Sequence, residues 1–161
     1  MVAEKLIETL TKLLQLHQNL YQVTLQKTDY LKNNDVEKLK EILKKEQKFV
    51  QAVKQIEDER IQLTGQFLGR EQDLTLSACI ERAEGEQKQQ LNEIEKEFTN
   101  IMGKLRAANE LNRELTHQAL QFVSLSIDML MPQENMTNYQ RPNGQQSQIE
   151  NTRRSLFDSQ A

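Results

Sequence analysis

His17, His117 and Cys79 are the side chains of this sequence best suited to catalysis or metal binding near neutral pH. Catalysis needs polar groups that converge on a rigid scaffold, and no such cluster can be read around any of the three. His17 falls in line with the apolar stripe of an N-terminal helix and reads as a structurally satisfied histidine. His117 falls on the polar face of a later helix and reads as exposed. Cys79 sits between Ala78 and Ile80, and no nearby basic residue marks it as an activated thiolate, so it reads as a small buried apolar residue. The five glycines are isolated, which leaves no loop to cradle a phosphate. The sequence therefore predicts no catalytic, cofactor-binding or metal-binding residues, and an enzyme is not expected.

Composition points the same way. The chain has 161 residues, no Trp, 5% aromatics and 28% charged residues, with a mean hydropathy of −0.75. Bulky material for a round core is scarce, whereas a helical bundle needs only a stripe of Leu, Ile and Val. The 21 basic and 24 acidic residues sum to −3, which offers nucleic acid or anionic lipid no general attraction. One cysteine cannot form an internal disulfide. Glu4, Lys5, Glu8 and Lys12 break up the N-terminal segment, unlike a signal peptide. No apolar run approaches the ~20 residues of a membrane span, so a soluble cytoplasmic protein is expected.

The elements follow from periodicity. Leu6, Leu10, Leu13, Leu20 and Leu31, flanked by Ile7, Leu14 and Tyr21, predict a first helix over residues 2–31 without Gly or Pro. Asn33, Asn34 and Asp35 interrupt it, and Asn34 with Glu37 predicts a cap for the next helix. Ile42, Phe49, Ile56 and Leu63, seven apart, with Leu39, Leu43, Val50 and Val53 alongside, predict a second helix ending between Gly65 and Gly69. Leu74, Leu76 and Ile80 allow a short helix packed across the bundle end, closed by Gly85. A third long helix is predicted from about Glu86 to Met131, on two heptad series. One series is Leu91, Phe98, Leu105, Asn112 and Ala119; the other is Ile94, Ile101, Ala108, Leu115, Phe122 and Met129. A helix of ~45 residues is about 68 Å long and needs partners along its length. The expected fold is all-α, an elongated antiparallel three-helix bundle or coiled coil over residues 1–131, followed by a disordered tail over residues 132–161.

The end of the third helix carries more apolar surface than one seam requires. From Leu115 to Met131 the apolar residues span roughly 240° of arc, where a surface helix shows little more than ~100°. Either the first two helices cover most of it, or a second protein or second copy covers part. The tail, rich in Gln, Asn, Pro and Ser, ends in a latent amphipathic helix. Ser147 and Glu150 match a capping box, Glu150 and Arg154 form an i,i+4 pair, and Ile149, Leu156 and Phe157 share a face. At ~12 residues it is too short to hold in water alone and should form against a groove. Charge is also uneven, with eleven acids against five bases over residues 57–97 and six Lys against four acids over residues 35–56. Solvated helix faces or a patch that steers a basic partner would both produce that.

These features together resemble the FlgN-type flagellar export chaperones. The resemblance is carried by an N-terminal helical hairpin, by a long helix containing "NELNRELTHQALQFVSLSIDML", and by a tail with "TNYQRPNG" ending in "RRSLFDSQA". Asn109 and Asn112 followed by Leu115 resemble the family's long-helix pattern. The spacing of Tyr139 to Gly144 and the Leu-Phe-Asp ending resemble tails of Gram-positive members. The resemblance implies a chaperone that uses no ATP and binds the C-terminal helical regions of the hook–filament junction proteins, hook-associated proteins 1 and 3. It would deliver them to the export gate of the flagellar type III apparatus. The expected client-binding residues are Leu120, Val123, Ile127 and Leu130 with Ile149, Leu156 and Phe157, and Tyr139 is the candidate for docking on the gate component. The competing expectation is a coiled-coil structural or adaptor protein that self-associates, as a homodimer or larger, through the third helix.

Overall fold

The structure, a computed structural model, describes residues 1–131. Four α-helices follow in order: α1 Val2–Lys32, α2 Val36–Leu68, α3 Leu76–Arg82 and α4 Gly85–Leu130, with no strand among the described residues. The chain divides into two units, Met1–His117 and Gln118–Ala161. Only residues 118–131 of the second are described. The first unit is a helical bundle. Beside the three long helices, the segment before Gly85 makes the short helix α3 that the sequence allows there, which brings the count to four.

The turn between α1 and α2 uses its Asn-Asn-Asp sequence differently from the predicted cap. Asn34 takes a left-handed conformation at φ 53, which Asn tolerates better than most residues. The capping falls to Asp35, whose carboxylate accepts the Lys38 backbone N–H at 3.2 Å. The chain then reverses. Near the turn, Lys27 of α1 meets Glu46 of α2 at 3.3 Å; at the far end Leu6 and Leu10 share a cluster with Leu68. The pair is therefore antiparallel, as the heptads predict.

α2 stops in the predicted window. Gly69 adopts φ 66, and its N–H returns to the Gly65 carbonyl at 2.8 Å, a left-handed helix end that favours glycine. Gly65 is needed as well, since a Cβ there would lie 3.3 Å from the Arg70 carbonyl oxygen. Two arginines then fasten the connection. Arg82 of α3 donates to the Leu68 carbonyl at 2.9 Å, and Arg60 of α2 donates to the Leu74 carbonyl at 3.0 Å. Glu57 holds the Arg60 guanidinium in place with bonds of 2.6 and 2.9 Å. Thr75 caps α3 by accepting the Ala78 N–H at 3.2 Å.

So fixed, α3 plugs one end of the first unit. Ala78, Cys79 and Ala83 are buried with Leu6, Leu10, Leu68, Leu91 and Ile94. Each fully buried Leu contributes about 1.5–3 kcal/mol gross, most of it offset by the entropy of ordering the chain. A second cluster joins Leu14 of α1 to Ile101 and Leu105 of α4, with Phe98, Leu20 and Tyr21 packed against it. Pairing thus advances along α1 and α4 in the same direction, so the two run parallel. The last layer is polar: Asn112 of α4 donates to the Thr24 carbonyl of α1 at 3.1 Å. α4 continues through Gly103 as one helix of 46 residues.

Candidate functional site

The heptad series of α4 keep their period past Asn112, but burial stops there. Leu91, Ile94, Ile101, Leu105, Ala108 and Asn112 are buried, and Leu115 and Ala119 are half-buried. Phe122 and Met129 occupy later positions of the same series and are 72% and 74% exposed. Burying apolar surface is what holds an amphipathic helix against its neighbours. A seam that persists in the sequence and remains open to solvent is a candidate binding surface.

The four predicted contact residues of the helix, Leu120, Val123, Ile127 and Leu130, are all exposed. Their spacing of three, four and three residues puts them on one face. The expected contacts leave out a second stripe of the same apolar arc. Phe122, Leu125 and Met129 lie roughly opposite at 100° per residue and are more exposed than Leu120, Val123 and Ile127. The signal was present, since two of them continue a heptad series.

Little polar chemistry interrupts this surface. Asp128 is the one charged residue of the helix after Gln118. The Ser126 hydroxyl donates to the Phe122 carbonyl at 2.8 Å and is satisfied within the helix. The arrangement suits a partner whose own apolar helix needs cover. Met129 and Met131, both exposed, let such a surface repack around differing shapes. The remaining predicted contacts, Ile149, Leu156 and Phe157, and the docking candidate Tyr139, lie outside the described residues.

The groups with catalytic potential are placed elsewhere. His17 is half-buried, with its Nδ1 2.8 Å from the Leu13 carbonyl and its ring edge-on to Phe98 at 5.7 Å. That is the structural role predicted for it. His117 is exposed on α4. Cys79 is 1% exposed, and burial raises its thiol pKa, against smaller lowering effects from Thr64, Arg60 and Arg70. Those two arginines correct the expectation of no basic group nearby, though desolvation outweighs them and the thiol remains protonated and sheltered. No cluster of His, Cys, Asp or Glu fit for a metal occurs among the described residues. No helix among them is long and apolar enough to cross a membrane.

A family model described as FlgN protein matches residues 1–148 of the chain. The chain is also 41% identical over 161 residues to the uncharacterized protein YvyG of Bacillus subtilis (strain 168), covering 100% of both sequences. No solved structure matches it.

Proposed function

From the premise that the chain belongs to the FlgN family of flagellar export chaperones, we propose that it binds the C-terminal helical regions of the hook–filament junction proteins, hook-associated proteins 1 and 3. It acts in the cytoplasm, keeps these subunits from premature assembly or degradation, and delivers them to the export gate of the flagellar type III apparatus. The division of labour follows the sequence. Residues 1–131 form a helical domain that ends in the client face, and residues 132–161 form a tail that completes it.

The observation that carries this reading is the apolar end of α4, where Leu120, Phe122, Val123, Leu125, Ile127, Met129 and Leu130 all stand exposed. An unassembled subunit has the complementary problem of amphipathic helices that lack their assembly partners. Burying one on the other removes both apolar surfaces from water. Ile149, Leu156 and Phe157 of the tail add apolar contacts at an ordering cost that holds affinity moderate, which suits a client that must be released. Tyr139 supplies an amphipathic ring for docking on the gate component.

The test is calorimetric titration of the full chain with the C-terminal helical segment of a junction protein. We expect a saturable complex, lost in Val123→Glu or Ile127→Glu while the helical circular dichroism stays intact. Binding unchanged in both variants would move the client elsewhere. Loss of helicity in either would assign these side chains to the core.

A further inference from the structure

The outward side of α2 carries an apolar seam that the proposed function does not use. Val36, Leu43, Val50 and Ile61 are exposed and fall within about 40° of arc at 100° per residue. Lys40, Gln47, Lys54 and Glu57 fill the positions between them. The full series, residues 36, 40, 43, 47, 50, 54, 57 and 61, alternates steps of four and three without a break. That is the spacing of a coiled-coil seam, and it lies away from Ile42, Phe49 and Ile56, the side that α2 turns inward. The helix thus has two seams, of which the bundle covers one.

We propose that a second copy of this chain covers the outer seam, packing antiparallel along α2 about a two-fold axis between Lys48 and Phe49. The spacing of the series is the same in both directions about that centre, so the seam can pair with itself in an isologous interface. Val36 then faces Ile61 of the second copy, Leu43 faces Lys54, Gln47 faces Val50, and Lys40 faces Glu57. Every layer occurs twice.

Charge selects the occupant and its direction. A parallel pairing in register would set Lys40 on Lys40 and Lys54 on Lys54, a repulsion at both ends. The antiparallel pairing brings Lys40, 67% exposed at its side chain, to Glu57, 38% exposed and already held in position by Arg60. The Lys54 stem lies along Leu43 with its ammonium in water. Gly65, one turn beyond Ile61, helps line an open groove with Gln62 and Gln66. That groove gives Val36 of the second copy room at the edge of the interface.

The experiment is sedimentation equilibrium of the full chain at concentrations on the order of 10 μM, at low and moderate salt. We expect a monomer–dimer equilibrium that shifts toward monomer as salt screens the lysine–glutamate layers. Leu43→Lys, at an exposed site, should leave helicity unchanged and abolish the dimer, because it sets two lysines against each other in both Leu43–Lys54 layers. Lys40→Glu should weaken it about ten-fold or more, since each change acts twice, whereas Lys40→Arg, which keeps the charge, should leave it intact. A wild-type chain that stays monomeric overturns the proposal. So does a dimer that survives Leu43→Lys and dissociates with Phe122→Glu, which would place the self-contact on α4.

Discussion

The Asn112 carboxamide donates to the main-chain oxygen of Thr24 across 3.1 Å, tying α4 to α1 at the last buried layer between them. Its oxygen accepts from the Thr28 hydroxyl. Thr28 has one hydroxyl proton to place and also lies 3.0 Å from the Thr24 carbonyl. With the Asn112 amide on that carbonyl, the proton goes to the Asn112 oxygen, and the buried groups satisfy one another. A buried polar layer in a seam sets register, because a slip along the helix would leave these groups unpaired in an apolar setting.

Asn112→Ala should therefore lower the unfolding free energy by about 1–3 kcal/mol, the cost of leaving buried partners unsatisfied. Urea unfolding followed by circular dichroism measures it, with an unchanged denaturant slope showing that only stability has moved. A loss below about 0.5 kcal/mol would mean that water replaces the carboxamide at no cost.

The two faces of the helices should respond very differently to truncation. Leu91 is 2% exposed within the cluster that α3 plugs, whereas Leu43 is 46% exposed on the outer side of α2. Leu91→Ala should cost about 2–5 kcal/mol through lost burial and the cavity left behind. Leu43→Ala, measured at a concentration too low for self-association, should stay within about 0.5 kcal/mol. Comparable losses at both sites would show that the outer side of α2 is covered within the monomer.

Cys79 links reactivity and pH dependence to the same plug. A thiol buried between α3 and the other helices should react with an alkylating reagent only as fast as the bundle opens. Its folded pKa lies above the ordinary thiol range because burial disfavours the thiolate. In alkali the unfolded thiol loses its proton first and the unfolded state then binds fewer protons, so stability falls as pH rises past about 8.5 toward the folded value. Below that pH the group contributes no slope. Cys79→Ala should flatten the alkaline decline, and rapid labelling of the native protein would contradict the burial.

Much of the fold was legible because it rests on repeats. The leucine series of α1 and the heptads of α2 and α4 each record a buried face, and Gly69 marks the end of α2 through the one conformation that suits it. Other features are fixed by neighbours distant in sequence. Thr24 and Thr28 are buried against Asn112, more than eighty residues later, which bonds the Thr24 carbonyl and the Thr28 hydroxyl. Leu43 and Val50 belong to a second, outward-facing seam that periodicity alone cannot distinguish from the inward one. At the end of α4 the excess of apolar residues was plain from composition. Where along the helix burial ends was not, because Phe122 and Met129 continue the heptad spacing beyond Asn112, the last buried residue of α4.

The role of the tail can be separated from that of the helices by removing residues 147–161. The deletion takes away Ile149, Leu156 and Phe157 and leaves every buried residue of the Met1–His117 unit in place. Thermal unfolding should therefore shift by no more than about 2 °C, equivalent to less than ~1 kcal/mol for a chain of this size. Client affinity should fall by about ten-fold, since the deletion removes the apolar contacts proposed for Ile149, Leu156 and Phe157. Calorimetry of the truncated and full chains against the same junction-protein segment reads the difference, including a less negative heat-capacity change as less apolar surface is buried. Equal affinity with an equal heat-capacity change would remove the tail from the contact and leave the exposed face of α4 to hold the client alone.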